Sequence, residues 1–225
     1  KVNIETRYNS ANGETMAMAA SCNGRTECLQ VLIAAKADVN ATDEYGNTAL
    51  IRAAHSHNMN CVQLLLDAKA NVNATNGSRE TALILAAERR ASEIVQTLIE
   101  TKAEVNVSNA RGETALIMTA RNGEIEGVLM LVDAKADTHA SDVDKDTALI
   151  NAVRYGHTSC AQVLVDAKAD VDARNKHGEN ALIFATRRGY TSCAQMLVDA
   201  KADANASDED QNTALILAAN RGVTC

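Results

Sequence analysis

Arginine recurs at 33-residue steps, at Arg121, Arg154 and Arg187, with Arg188 beside the last. A guanidinium is a planar fork of donors that keeps its charge, so a spaced set of them suits recognition of carboxylates. Met118 and Phe184 stand three residues before an arginine of this series, and Tyr155 stands one after. Aromatic and arginine side chains are frequent anchors of protein interfaces. Acidic clusters alternate with them: Asp43-Glu44-Tyr45, Asp142-Val143-Asp144 with Asp146, and Asp208-Glu209-Asp210. Two readings stay open. Arg121, Arg154, Arg187 and Arg188 meet an acidic partner segment, anchored by Met118, Tyr155, Phe184 and Tyr45. Alternatively, they pair with the chain's own acidic clusters as solvated charges, at about 0–1 kcal/mol each, and the column at Phe184 is partly buried packing between units.

Other reactive residue types do not converge. Cys28, Cys61, Cys160 and Cys193 share one column of the 33-residue series, which holds Ile94 and Gly127 in its other places. A position that accepts Cys or Ile is a buried apolar one, so free thiols are expected, without disulfides or metal. His55 and His57 are two apart and so face different ways on a helix. There is no glycine-rich phosphate loop, no GxSxG and no HExxH. Catalysis needs a nucleophile, a base and an orienting group in one pocket. The sequence therefore predicts no enzyme, no cofactor, no metal and no catalytic residue.

The elements that position these residues follow from the repeat. Thr15, Thr48, Thr81, Thr114, Thr147 and Thr213 keep the 33-residue step, with Asn180 in the remaining slot. Lys36, Lys69, Lys102, Lys135, Lys168 and Lys201 form a second column, and Leu50 to Leu215 with the isoleucine after each form two more. Within one period Thr48 is an N-cap, Ala49 to His55 a helix of two turns, and Asn60 to Asp67 a second helix. Arg52, His55 and Ser56 share one face of the first helix. Hairpins this thin cannot bury their own apolar side and must stack. The single Phe and the absence of Trp and Pro agree with thin layers of close helices. A net charge of −7 argues against nucleic acid as partner, and no apolar run is long enough to span a membrane.

The blocks NTALIRAA, ETALILAA, ETALIMTA and DTALINAV resemble the ankyrin signature T-P-L-H-x-A-A, and VQLLLDAKANVNA resembles its second helix and closing V-N-A. The resemblance covers essentially the whole chain. It implies an all-α ankyrin-repeat solenoid spanning 1–225: six complete helix pairs from about residue 15 to 203, with partial units at both ends. Val2-Asn3 resembles the close of a preceding unit, and Cys225 falls where a further second helix should begin. Ala replaces the family's Pro, Ile51 and its equivalents replace its His, and Lys replaces the glycine after the second helix. If that site keeps left-handed torsions, each Lys carries roughly 1 kcal/mol of strain. Gly127, in mid-helix, is expected to leave a small void, and Leu129 to be exposed.

The resemblance further implies that the first-helix face and the turn tips line a concave groove. A protein-interaction module follows, an adaptor or scaffold whose partner is another protein or peptide. The alternative is a structural spacer or spring with an empty groove. Reduced thiols and the lack of a signal segment imply an intracellular, cytoplasmic and monomeric array. Asparaginyl hydroxylation at Asn40, Asn73, Asn106 and Asn205 is a family property, but turn hydrogen bonding is the favoured role for these residues.

Overall fold

The computed structural model describes residues 7–9 and 12–221. The expectations for Val2-Asn3 and Cys225 therefore lie outside the described residues. By its internal contacts the chain divides into two compact units, Lys1–Ala110 and Arg111–Cys225. The amino-terminal unit holds a short ribbon, β1 (Arg7–Asn9) antiparallel to β2 (Glu14–Thr15). Three helix pairs follow: α1 (Met16–Cys22) with α2 (Thr26–Ala34), α3 (Ala49–His55) with α4 (Met59–Asp67), and α5 (Ala82–Glu88) with α6 (Ser92–Glu100). The carboxy-terminal unit holds α7 (Ala115–Asn122) with α8 (Ile125–Asp133), α9 (Ala148–Arg154) with α10 (Thr158–Asp166), α11 (Ala181–Arg188) with α12 (Thr191–Asp199), and α13 (Ala214–Arg221). In each unit first helices pack on first helices and second on second, giving two layers.

Local chemistry sets both ends of each helix. Thr48 Oγ1 accepts the Ile51 N–H at 3.3 Å, and the other threonines of the column do the same one period apart. Asn180 Oδ1 takes that role at 3.0 Å. Two residues past each second helix stands a lysine with φ of 64–68°. The residue after it closes a Schellman motif, as in Ala37 N to Leu32 O at 3.0 Å beside Lys36 N to Ile33 O at 2.9 Å. The expected left-handed strain is thus real, and two backbone hydrogen bonds hold it.

Packing is tight because the interior side chains are small. Leu50, Leu83, Leu116, Leu149 and Leu182, and the isoleucines after them, are buried among alanines such as Ala53 and Ala86. Leu215 and Ile216 break the pattern, at 72% and 44% exposed, because among the described residues no second helix packs beside α13. Leu129 is exposed. The five described cysteines are free; Cys61, Cys160 and Cys193 are buried, but Cys28 is exposed, contrary to its column. The hydroxyls of Thr26 and Thr158 cover Cys61 and Cys193 from the preceding second helix, and α2 has no such predecessor among the described residues. The void expected at Gly127 is also absent. A Cβ there would lie 2.8 Å from Thr119 Cγ2, and Thr119 stands where the neighbouring periods hold Ala86 and Ala152. The methyl lost at one site is supplied at the other.

Candidate partner-binding site

The turn tips are built from one side chain each. Asp43 Oδ1 accepts the N–H groups of Tyr45 and Asn47 at 2.9 and 2.8 Å, and Asn76, Asp142 and Asn175 accept from the residues two and four further on. Asp208 binds the Asn212 N–H at 2.8 Å in the same way. Such folding back is what short Asn and Asp side chains do in turns. Asp43 and Asp208 are consequently buried and Asp146 is buried as well, whereas Glu44, Glu209 and Asp210 of the same tips stay exposed. The residue four on completes a pair. Asp43 faces Asn47 and Asp208 faces Asn212, whereas Asn76 faces Glu80 and Asn175 faces Glu179. An amide thus donates to a carboxylate, except at Asp142 and Asp146, where both partners are acids.

The arginines end on these same carboxylates. Arg52 Nη2 lies 2.7 Å from Asp43, Arg121 Nη1 2.6 Å from Glu113, and Arg154 Nη2 2.6 Å from Asp146. Arg187 bridges Glu179 and Asp208. Burial pushes the Asp43 carboxyl up, but the hydrogen bonds from Asn47 and Arg52 outweigh it and leave it below the usual range. Asp208 behaves likewise, through Asn212 and Arg187. At Asp146 burial dominates, the Asp142 charge adds to it, and the carboxyl is raised despite Arg154 and a hydrogen bond from the Asn175 side chain. Three guanidiniums, of Arg121, Arg154 and Arg187, meet five carboxylates here: Glu113, Asp142, Asp146, Glu179 and Asp208. Even with Arg188 this wall has no positive excess to draw an acidic partner.

The other expected site residues separate by burial. Tyr45 and Tyr155 are 61% and 51% exposed, and Arg188 is exposed. Tyr155 follows the last residue of α9 and so escapes helix packing; its ring lies 6.5 Å from that of His157. Met118 and Phe184 are buried, so neither presents an anchor. They sit one turn earlier on the first helix, where the face turns inward, and the Arg154 guanidinium covers the Phe184 ring at 4.5 Å. In the amino-terminal unit Arg89 contacts His55 Nε2. Burial, then the Arg89 charge, holds the His55 imidazole below its ordinary value.

Two structural sets escaped the sequence reading. One is the acid–amide alternation of the turns, visible as Asp/Asn and Asn/Glu four residues apart. The other is a side chain 34 residues after a left-handed glycine. A Cβ on Gly123 would meet the His157 ring at 2.5 Å, and one on Gly156 would meet Tyr190 at 3.1 Å. His157 Nε2 also lies 3.1 Å from the Arg121 carbonyl oxygen. Asn40 and Asn73 accept the backbone N–H of Asn71 and Glu104, which tie successive turns. Among the described residues no group of three His, Cys, Asp or Glu could hold a metal. No helix among them is long and apolar enough to cross a membrane.

Stacked helix hairpins with side-chain-stapled turns define a repeat protein. A family model described as ankyrin repeats (3 copies) matches residues 1–76, 70–142 and 135–208, and the chain belongs to the ankyrin-repeat family. Ankyrin repeats are protein–protein interaction modules. The chain is similar to the crystal structure of the ankyrin repeat domain of Bcl-3, described as a unique member of the IkappaB protein family. That match has a TM-score of 0.81 and 27% identity, over 94% of this chain and 97% of that one. A search of curated proteins gives no match.

Proposed function

We propose that the chain is an adaptor or scaffold that grips another protein or peptide with the first-helix wall of its carboxy-terminal unit. Tyr155 and Arg188 make the contact, and the outer edges of Arg121, Arg154 and Arg187 frame it. Met118 and Phe184 support the wall from behind, and Tyr45 offers a separate contact at a turn tip of the amino-terminal unit. The observation that carries this reading is the half-exposed Tyr155 ring beside arginines already fixed by buried carboxylates. A rigid aromatic on a pre-ordered wall loses little entropy on binding. Its likeness to the Bcl-3 ankyrin domain supports an interaction role in general terms. The test is capture of partners from native extract by the full chain and by a Tyr155→Ala/Arg188→Ala variant. At least tenfold loss of the captured protein, with thermal unfolding unchanged, is expected. Equal capture by both would instead favour a spacer, which has nothing to lose at this wall.

A further inference from the structure

On the other side of the carboxy-terminal unit, α10 and α12 leave an open groove of about 760 Å³. Thr158 and Thr191, the small first residues of the two helices, are part of its lining. Half-buried Val165 and Met196 line it, and Asp166 and Asp199 close one end. The position of these two acids is unfavourable for the fold alone. Each is the last residue of its helix, where the macrodipole already concentrates negative charge. Each carboxylate accepts one hydrogen bond from a neutral side chain, Gln162 at 2.9 Å and Gln195 at 2.8 Å. Among the described residues neither has a cationic partner. Asp170 and Asp203 follow four residues later, so the local count is four aspartates to two lysines, Lys168 and Lys201.

We propose that this outer groove is a second docking surface, and that its occupant is a basic amphipathic segment of a partner protein. One apolar side chain enters between Val165 and Met196, and lysines or arginines on the same face reach Asp166 and Asp199. The cations would neutralise the helix ends that the fold leaves negative, so charge complementarity and an apolar floor select the same ligand. This surface lies on the second helices, so it stands or falls independently of the Tyr155 wall.

The test uses the full chain and a synthetic helical peptide of leucines and lysines, followed by fluorescence anisotropy and by amide shift mapping. Its counterpart with glutamate for lysine is the comparison. The lysine peptide should shift amides of α10 and α12 first. Asp166→Asn/Asp199→Asn should weaken it at least tenfold, and Met196→Ser a further few-fold. Asp133→Asn/Asp137→Asn removes the same charge one period away and should change affinity less than twofold. Equal losses from the two double variants would reduce the effect to general attraction and overturn the proposal. Shifts spread over the whole surface, or equal binding of the glutamate peptide, would overturn it as well.

Discussion

The turns 142–146 and 175–179 are built on the same backbone hydrogen bonds and carry the same overlying arginine, yet each has a different flaw. In the second, Asn175 takes the N–H groups of His177 and Glu179 with its oxygen and donates its amide to Glu179 at 3.0 Å. In the first, Asp142 reproduces the acceptor half and cannot donate. Asp146 therefore has no amide donor within its own turn and relies on Arg154, whose Nη2 approaches both its oxygens at 2.6 Å, and on the Asn175 side chain of the next turn. The second turn has its own defect one residue on. Asn180 caps α11 but leaves its buried Nδ2 without a hydrogen-bond partner among the described residues. An arginine over a turn acid is thus scaffold first, and the two turns differ in what the scaffold asks of it.

The largest effect separates the two arginines. Arg154→Ala strips the nearest cation from a buried carboxylate that already faces another, and should cost about 2–3 kcal/mol, less than a fully buried pair because Arg154 is partly exposed. Arg187→Ala leaves Glu179 with the Asn175 amide and Asp208 with Asn212, and should cost about 1 kcal/mol less. Urea unfolding of both variants decides the matter; equal losses would break the comparison. Next in size is Asn180→Thr, which keeps the cap and removes the orphan donor. It should stabilise by about 1 kcal/mol in the same assay. A loss of stability would mean that the Asn180 amide is serving a contact.

The repeat made the scaffold legible. Thr48, the helix at Ala49–His55 and the lysine column could be read because each is local and recurs. The fate of Arg121, Arg154 and Arg187 could not, because it depends on whether Asp146 or Glu179 points into its turn. That is set by Asn and Asp side chains folding back on the backbone, a choice with no periodicity of its own. For Met118 and Phe184 the choice between anchor and inner packing stays open in the sequence for a related reason. Helical spacing puts them near the arginines, but only inter-helix packing decides that their turn of the face is closed. Thr119 and Gly127 show compensation across one hairpin, where each residue read alone suggested a defect.

Asp142→Asn converts the first turn into the second. The oxygen that accepts from Asp144 and Asp146 is kept, an amide becomes available to Asp146, and one of two like charges disappears. A gain of about 0.5–1 kcal/mol at neutral pH is expected, net of the weak 3.7 Å approach of Arg121 to Asp142. An unchanged or lowered urea midpoint would show that Arg121 needs this carboxylate.

The smallest effect is the most specific, because the two kinds of turn should respond to acid with opposite sign. Asp43 and Asp208 are held low, so their contribution is present above the ordinary carboxylate value of about 3.9 and is lost as pH falls through the folded one. Asp146 is held high by burial and by Asp142, so its contribution is full below that ordinary value and is lost as pH rises through its folded one. At neutral pH the 142–146 turn is therefore at its weakest, and acidification relieves it before the other turns begin to suffer. The advantage of Asp142→Asn over the natural chain should shrink as pH falls from 7 toward 4, by a few tenths of a kcal/mol or more. Urea midpoints of both proteins measured across that interval give the answer. A gap that stays constant or widens would mean that the second carboxylate does not set the turn's titration, and that the two turns differ in hydrogen bonding alone.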